Sequence, residues 1–227
     1  LRMSLFNRKV QFTSAIFYND YKNLQVTKTG YSGLPFVLFN AGSAETYGAE
    51  LAIDWRVSSV LTIQANVGYL KAKYKDFSCL GNGTFCIPEL QVPAFNSSGN
   101  TLVQSPEWQG GISALLDVPV TDNWNFEAGA LFSFSSKFFP DDENKPRNPP
   151  AGQTCFAIGG CGLPQKAYGL LNLRAGVRTA NDRIGFYVSA RNGFNKFYHA
   201  FGTSSNTAIY QIPGAPRIIS GQNVLKY

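Results

Sequence analysis

The breaks between the predicted strands of this chain alternate between two lengths. The short breaks are polar turns at residues 7–9, 58–59, 121–123 and 181–182. The long breaks are rich in Gly, Pro, Ser and Asn, and they cover residues 79–104, 140–165 and 199–213, with a smaller one at 28–36. Because consecutive antiparallel strands reverse direction, the short turns fall at one end of a sheet and the long loops at the other. Such an asymmetry is typical of β-barrels that cross an outer membrane.

Nine strands fit between these breaks, the first of them represented only by its end. Their ranges are 1–6, 10–28, 35–57, 60–78, 105–120, 123–139, 166–180, 183–199 and 214–227. Apolar and polar residues alternate along them; in the fourth strand, Ile63, Ala65 and Val67 oppose Gln64 and Asn66. Most ranges exceed the usual length of about five or six residues, and their apolar stretches of about nine residues match a tilted strand that crosses a membrane.

The composition favours a membrane barrel over a soluble sheet protein. Aromatic residues make up 14% of the chain and charged residues 15%, whereas about a quarter charged is usual. Trp55, Trp124 and Tyr69 stand where apolar stretches end, as interfacial residues do. No run approaches the roughly 18 apolar residues that a transmembrane helix needs. The sequence therefore predicts an all-β chain that forms a transmembrane antiparallel β-barrel.

The strand number indicates that residues 1–227 form the C-terminal portion of a barrel domain. Bacterial single-chain barrels have an even number of strands, and they must close to satisfy their edges. Nine strands that begin within a strand therefore predict a fragment of a larger barrel or one piece of a split barrel. In the predicted strand 123–139 we expect the apolar face to contact lipid through Ala128, Ala130, Phe132 and Phe134, while Ser133 faces the lumen.

No pattern of catalytic residues is present in the sequence, and we expect neither an enzyme nor a cofactor. There is no Gly-rich phosphate loop and no histidine cluster, since His199 is the only histidine. The adjacent acids at 141–143 suit either a divalent cation or, as we prefer, a solvated turn, so no metal site is predicted. The net charge of +6 comes from basic residues scattered over many strands, which argues against nucleic-acid binding.

The four cysteines form two close pairs within the long loops. Cys79 and Cys86 lie in the first long loop, and Cys155 and Cys161 lie in the second. Metal sites favour a closer spacing and a fuller set of ligands. Two local disulfides in an oxidising compartment are the preferred interpretation, and four free thiols are the alternative.

Several segments carry, in order along the chain, motifs of one known family. These segments are 12–26, 40–54, 69–77, 105–108, 191–198 and 213–217. The first ends in Leu-Gln-Val, the second contains Asn-Ala-Gly and Gly-Ala-Glu, and the fourth reads Ser-Pro-Glu-Trp. The fifth is similar to an Asn-x-Phe-Asp-x-x-Tyr signature, with Asn195 in place of Asp. Together they resemble the C-terminal barrel of a TonB-dependent outer-membrane receptor, although Asn223 departs from it by falling on the apolar face of the last strand.

The resemblance implies a barrel of about 22 strands with a plugged lumen in the outer membrane of a Gram-negative bacterium. This chain would supply the last nine strands, and the plug domain and the segment that contacts the TonB complex would lie upstream. The implied function is active, TonB-dependent uptake of a bulky, scarce solute, with a ferric siderophore as the first candidate. The alternatives are a passive porin or barrel adhesin without energy coupling, and a secreted carbohydrate-binding module.

Three groups of side chains are candidates for binding roles. Charged residues expected in the lumen are assigned to salt bridges of the wall and to contacts with the plug, two compatible roles that we prefer to ligand contacts: Glu50, Asp54, Glu127, Arg174, Arg178 and Arg191. Loop residues at the mouth are either ligand contacts or loop packing: Phe138, Phe139, Arg147, Phe156, His199 and Phe201. Lysines that follow Tyr69 on the apolar parity of the fourth strand are expected to bind lipopolysaccharide phosphates: Lys71, Lys73 and Lys75. A solvated ridge, or a β-bulge that turns the lysines inward, is the alternative for this last group.

Overall fold

A computed structural model describes residues 1–31, 34–79, 85–87, 92–142, 144, 164–204 and 209–226. The regular secondary structure in these ranges is β-strand throughout. None of these residues belongs to a helix long and apolar enough to cross a membrane.

The described strands form one large antiparallel sheet and three small pairs. In chain order they are β1 (Arg2–Leu5), β2 (Val10–Tyr31), β3 (Leu34–Arg56), β4 (Leu61–Asp76), β5 (Ser78–Cys79), β6 (Phe85–Ile87), β7 (Val92–Pro93), β8 (Phe95–Asn96), β9 (Trp108–Thr121), β10 (Trp124–Ser135), β11 (Tyr168–Thr179), β12 (Ile184–Arg191), β13 (His199–Ser204), β14 (Ile209–Pro213) and β15 (Ile218–Leu225). The large sheet has nine strands in the order β1-β2-β3-β4-β9-β10-β11-β12-β15. The pairs β5–β8, β6–β7 and β13–β14 lie within the long loops. In this chain the large sheet is not closed, and β1 and β15 are its edges.

The predicted fold class is confirmed, strand boundaries differ by up to several residues, and two of these differences change the description of the loops. The predicted break at 28–36 is wrong for most of its length, because β2 and β3 continue as one ladder to the pair Tyr31–Leu34. The predicted strand 183–199 ends at Arg191, because the buried Asn192 side chain turns the chain there. Its amide donates hydrogen bonds to the backbone oxygens of Lys196 (2.9 Å) and Ala215 (3.0 Å).

The register aligns apolar side chains into rows that cross the sheet. Ala65 of β4 lies opposite Ile112 of β9, Ile112 lies opposite Phe132 of β10, and Phe132 lies opposite Leu171 of β11. Since successive side chains of a strand point to opposite sides, these rows form one apolar face. Asn223 lies opposite Phe186 and so remains a polar residue on this apolar face.

The other side of the sheet, the polar face, carries amide, hydroxyl and charged side chains. Gln64 of β4 lies opposite Ser113, which in turn lies opposite Leu131, and Leu131 lies opposite Asn172. Ser133 shares this face, because it lies opposite Gly111 and next to Phe132 along β10. The alternation predicted for the strands is therefore present in the sheet as continuous faces.

The buried hydrophobic core lies at the end of the sheet that carries the long loops. Its buried members include Phe39 and Ala44 on β3, Tyr74 on β4 and Phe77 just beyond the end of β4. Phe95 of β8 packs against Phe39 and Phe77, with ring centroids 5.4 and 5.1 Å apart. The long-loop end is thus a packed structure of its own, built on the extended β2–β3 hairpin.

Candidate functional site

A charge network lies on the polar face near the short-turn end of the sheet. The Arg178 guanidinium contacts Glu127 through Nε at 2.5 Å and Asp117 through Nη2 at 2.6 Å, and it also contacts Asp182. The register explains this convergence, because Asp117 lies directly opposite Glu127 on neighbouring strands. Gly176 is the β11 partner of Glu127, and Arg178 lies two residues further along β11, on the same face of the sheet. The salt bridge of the wall that was predicted for Glu127 and Arg178 is therefore present, and a contact of these residues with the plug stays a prediction.

Two further arginines of the polar face have no such partner among the residues that the structure describes. Arg174 and Arg191 line a hollow of about 550 Å³ together with Asn172, Ser189 and Gln222. Among the described residues, no carboxylate oxygen lies within ion-pair distance of either guanidinium. The Arg174 guanidinium instead lies over the Tyr187 ring, 3.8 Å from its centroid. The hollow therefore offers two cationic groups and several neutral hydrogen-bonding groups to whatever occupies it.

The remaining predicted wall charges, Glu50 and Asp54, lie on β3. Asp54 accepts a hydrogen bond of 2.8 Å from the Gln64 amide on β4. Glu50 lines a hollow of about 810 Å³ that extends along the polar face to Phe138 and Tyr168 at the long-loop end. This hollow brings a predicted wall residue and a predicted loop residue to one surface.

The loop residues Phe138 and His199 are joined through Gln165. The backbone of Phe138 exchanges two hydrogen bonds with Gln165, of 3.1 and 2.9 Å. The Gln165 side-chain oxygen accepts a hydrogen bond of 2.8 Å from the backbone N–H of His199. The His199 ring meets the Phe197 ring edge to face, with centroids 5.1 Å apart. Gln165 carried no sequence signal, because its role depends on a contact between two loops.

The other predicted loop residues are less closely connected. Phe139 has the Lys137 ammonium 4.7 Å above its ring. Phe201 of β13 lies opposite Ile212 of β14, and 42% of its surface is exposed. Arg147 and Phe156 lie outside the described residues. The described part of the loop surface thus contains Phe138, Phe139, His199 and Phe201.

The motif at 191–198 has a structural role at the base of the last long loop. The Asn192 side chain holds Lys196 and Ala215 as described above, and the Asn195 side chain accepts a hydrogen bond of 3.0 Å from the backbone N–H of Arg217. The Tyr198 ring stacks on Tyr168 of β11, with centroids 4.8 Å apart. These contacts fix both ends of the loop against the sheet, so the motif positions the loop.

The acids at 141 and 142 take part in contacts between the two long loops, and the preferred interpretation as a solvated turn is wrong for Asp142. The Asp142 carboxylate is buried and accepts a hydrogen bond from the Ser97 hydroxyl. The Asp141 carboxylate accepts a hydrogen bond of 3.2 Å from the backbone N–H of Asn144. Burial, together with the nearby Asp142, raises the pKa of Tyr74 to about 12. Within the described ranges no group of three metal-ligating side chains occurs, and Glu143 lies outside these ranges.

The cysteines are described for one of the two predicted pairs. A disulfide joins Cys79 and Cys86, whose Cα atoms are 5.6 Å apart. Both cysteines pack against the core of the long-loop end. Cys155 and Cys161 lie outside the described residues, so their disulfide stays a prediction.

The three lysines of β4 lie beyond Tyr69 on the apolar parity and meet acidic partners. Lys71 forms an ion pair with Glu107, and Lys75 forms one of 3.2 Å with Asp20. These hydrogen-bonded carboxylates raise the pKa of both lysines. Lys73 lies directly opposite Glu45 on β3. The β-bulge named as an alternative does occur, because Ser43 pairs with Asp76 and Ala44 with Tyr74, which leaves Lys75 as the extra residue of β4. Lys75 nevertheless reaches Asp20, which lies opposite Glu45.

Comparisons with known proteins agree with these features. A family model described as "TonB dependent receptor-like, beta-barrel" matches residues 1–192. The fold is similar to that of the ferric yersiniabactin uptake receptor FyuA from Yersinia pestis, at 18% sequence identity and a TM-score of 0.69. That alignment covers 98% of this chain and 28% of FyuA.

Two other solved receptors are similar at the same level. The siderophore receptor PiuA from Acinetobacter baumannii has 16% identity and a TM-score of 0.66, with coverage of 98% of this chain and 27% of PiuA. The ferric citrate transporter FecA has 15% identity and a TM-score of 0.63, with coverage of 97% of this chain and 29% of FecA. At these identities the likeness concerns the fold, and this chain spans less than a third of the length of these receptors.

Proposed function

We propose that this chain, which belongs to the TonB-dependent receptor family, is part of an outer-membrane receptor for the energised uptake of a bulky, scarce solute. The observation that carries the proposal is the match of the family's barrel over residues 1–192 to a sheet of nine antiparallel strands with one apolar and one polar face. The family is one of receptors and transporters that reside in the outer membrane. In this proposal no bond is made or broken, and the work is translocation.

In this proposal the two faces of the sheet lie in different environments. The apolar face contacts lipid, since its described rows consist mainly of Ala, Ile, Leu and Phe, with Ser14 and Asn223 as polar exceptions between the aromatic residues at its two ends. The polar face lines the lumen, where Gln64, Ser113 and Asn172 are hydrated or touch other protein groups. Trp55 and Trp124 mark the short-turn side of the membrane, and Tyr69 marks the long-loop side.

A ferric siderophore is the solute that we favour. FyuA is described as a receptor for ferric yersiniabactin and PiuA as a siderophore receptor, and the inference to this chain rests on shared fold. The loop residues Phe138, Phe139, Arg147, Phe156, His199 and Phe201 supply the ligand contacts in this proposal. Aromatic side chains on loops that a rigid sheet holds in place suit such a role.

The lumen charges divide into wall and plug contacts. Glu127 and Arg178 satisfy each other on the wall, whereas Arg174 and Arg191 have no carboxylate within reach among the described residues. Both residues are exposed in this chain, and a charge that the plug covered without supplying a partner would cost several kcal/mol, on the order of 3–5. We therefore expect acidic side chains of the upstream plug domain to face Arg174 and Arg191, and basic or amide side chains to face Glu50 and Asp54. The TonB complex would act on the plug.

The experiment is uptake of radiolabelled ferric siderophores by cells that express the complete receptor, with and without TonB and the proton-motive force. We expect uptake of at least one chelate that stops when either is removed. Uptake that continues without both would support the passive porin instead. Absence of uptake together with attachment to host or bacterial surfaces would support the adhesin.

The loop assignment is tested by chelate binding to Phe138→Ala and His199→Ala receptors. Weaker binding is expected, by about tenfold if one aromatic contact of the usual strength is lost. Phe6→Ala is the matched control, because Phe6 is an exposed aromatic residue at the short-turn end. Equal affinities for the loop variants and the control would contradict the loop assignment without affecting the uptake proposal.

A further inference from the structure

The rim of the apolar face at the long-loop end carries two stacked bands of side chains. The lower band, here called the aromatic belt, consists of Tyr18, Tyr47, Tyr69 and Trp108. Tyr18 lies opposite Tyr47, and the rings of Tyr69 and Trp108 are 4.9 Å apart. Tyr18, Tyr47 and Trp108 are 61%, 40% and 48% exposed in this chain. Such a belt is typical of the level where hydrocarbon meets headgroups.

The depth of this belt agrees with that position. Leu61 marks the start of the apolar stretch of β4 at the short-turn end, and Tyr69 is eight residues further along the strand. At about 3.3 Å per residue the stretch is about 26 Å long. With a tilt of about 35–45° the stretch covers about 20 Å along the membrane normal, which is most of an apolar band about 25 Å tall. Residues beyond Tyr69 therefore lie at the outer edge of the hydrocarbon and above it.

The upper band, here called the charged belt, is made of lysines and acids on neighbouring strands, two pairs of which are in contact. Its members are Asp20, Glu45, Lys71, Lys73, Lys75 and Glu107. Lys71 is paired with Glu107, Lys75 with Asp20, and Lys73 lies opposite Glu45. The pairs remain open to the surroundings, since the side chains of Lys75 and Asp20 are 45% and 37% exposed and those of Lys71 and Glu107 are 27% and 44% exposed.

The charged belt has no net charge, yet it presents both signs close together. A lysine ammonium has three donors, and one carboxylate contact leaves donors for a phosphate oxygen. A carboxylate that accepts from one lysine keeps lone pairs for Mg²⁺ or Ca²⁺. Exposed ion pairs of this kind are weak, so a multivalent partner can reorganise them. A partner that carries alternating phosphates and divalent cations matches this pattern better than a free anion does.

We infer that the charged belt is a binding site for lipopolysaccharide, whose headgroup phosphates are bridged by divalent cations. The lysines contact phosphate oxygens, the acids hold the bridging cations, and the aromatic belt contacts the upper part of the acyl chains. This site is separate from solute uptake, because it lies on the face opposite the lumen. Because the lysines are paired with acids, we expect phosphate binding at this rim to require the divalent cation that the acids hold.

The test is a titration of fluorescently labelled lipopolysaccharide into the purified complete receptor in detergent, in Mg²⁺ and in EDTA. The wild-type receptor should bind in Mg²⁺ and lose affinity in EDTA by about tenfold or more, the factor that a few exposed charge contacts amount to. The variant Lys71→Gln/Lys73→Gln/Lys75→Gln should be weak under both conditions. The variant Asp20→Asn/Glu45→Gln/Glu107→Gln frees the lysines, so it should bind as well in EDTA as in Mg²⁺.

The control is Arg8→Gln/Lys9→Gln/Lys226→Gln, which removes the same charge at the short-turn end. It should bind like the wild type. On denaturing gels, unheated samples of all variants should remain folded to the same extent as the wild type. Wild-type affinity in the lysine variant would overturn the inference, as would an equal loss in the control. If the acid variant needed Mg²⁺ as much as the wild type does, the acids would not hold the cations. Solute uptake in the lysine variant should be unchanged, which separates this result from the uptake proposal.

Discussion

Replacement of Arg178 by Gln is the most informative single change in the wall. Its guanidinium contacts Asp117, Glu127 and Asp182, and only 17% of its side chain is exposed. Asp117 and Glu127 lie directly opposite each other on β9 and β10. Without the guanidinium these two carboxylates would face each other across the strands with no counter-charge between them. We therefore expect a loss of stability rather than a neutral surface effect.

The magnitude follows from the exposure of each partner. The Asp182 carboxylate is 55% exposed, so that contact is worth about 0.5 kcal/mol. The Asp117 carboxylate is 42% exposed, which corresponds to about 1 kcal/mol at most. The Glu127 carboxylate is 25% exposed, and a charged hydrogen bond at that burial contributes about 2 kcal/mol. The free energy of unfolding should therefore fall by about 3 kcal/mol.

The assay is urea unfolding of the complete receptor, followed by tryptophan fluorescence. Arg183→Gln is the control, because Arg183 is an exposed residue of the neighbouring turn, and its loss should cost less than about 0.5 kcal/mol. Adding Asp117→Asn and Glu127→Gln to the Arg178 variant should restore part of the stability, since the opposed charges are then gone. A cost for Arg178→Gln no larger than that of the control would refute the reasoning, as would a further loss on removing the acids.

Three other predictions follow from named contacts. Ala130→Arg should cost about 2–4 kcal/mol in unfolding free energy in lipid if the apolar face contacts hydrocarbon, and Ser133→Arg on the polar face should cost less; the reverse order would invert the faces. Mass spectrometry without reduction should find both predicted disulfides, and Cys79→Ala/Cys86→Ala should lower stability by about 2 kcal/mol; alkylation of all cysteines before reduction would contradict this. Because the pKa of Tyr74 is raised to about 12, the unfolded chain releases that proton first, so stability should fall as the pH rises from about 10 to 12. Tyr74→Phe should remove this part of the pH dependence, and an unchanged profile would show that Tyr74 is not its source.

Most of the sheet could be predicted because its signals are local. The alternation in Leu61–Tyr69 and the short turn at 121–123 each lie within a few consecutive residues, and together they fix strands, faces and ends. The end of β12 at Arg191 could not be read in this way, because it depends on the Asn192 amide reaching Ala215, 23 residues away. The pairing of Lys75 with Asp20 spans 55 residues. Alternation placed Lys75 on the correct side, but its partner follows only from the register of β2 against β3.

The packed long-loop end has a consequence for the proposed uptake. Two long loops are held together there, because Ser97 and Asn100 bond to Asp142 while Thr101 bonds to Asn144. The core around Phe77 adds apolar burial, and the Cys79–Cys86 disulfide restricts the chain further. Side chains held in place before a ligand arrives lose little conformational freedom on binding, and each ordered side chain would otherwise cost about 0.5–1.5 kcal/mol. A receptor that must capture a scarce solute gains affinity from such preorganisation, which is why we assign capture to the loops and passage to the more open polar face.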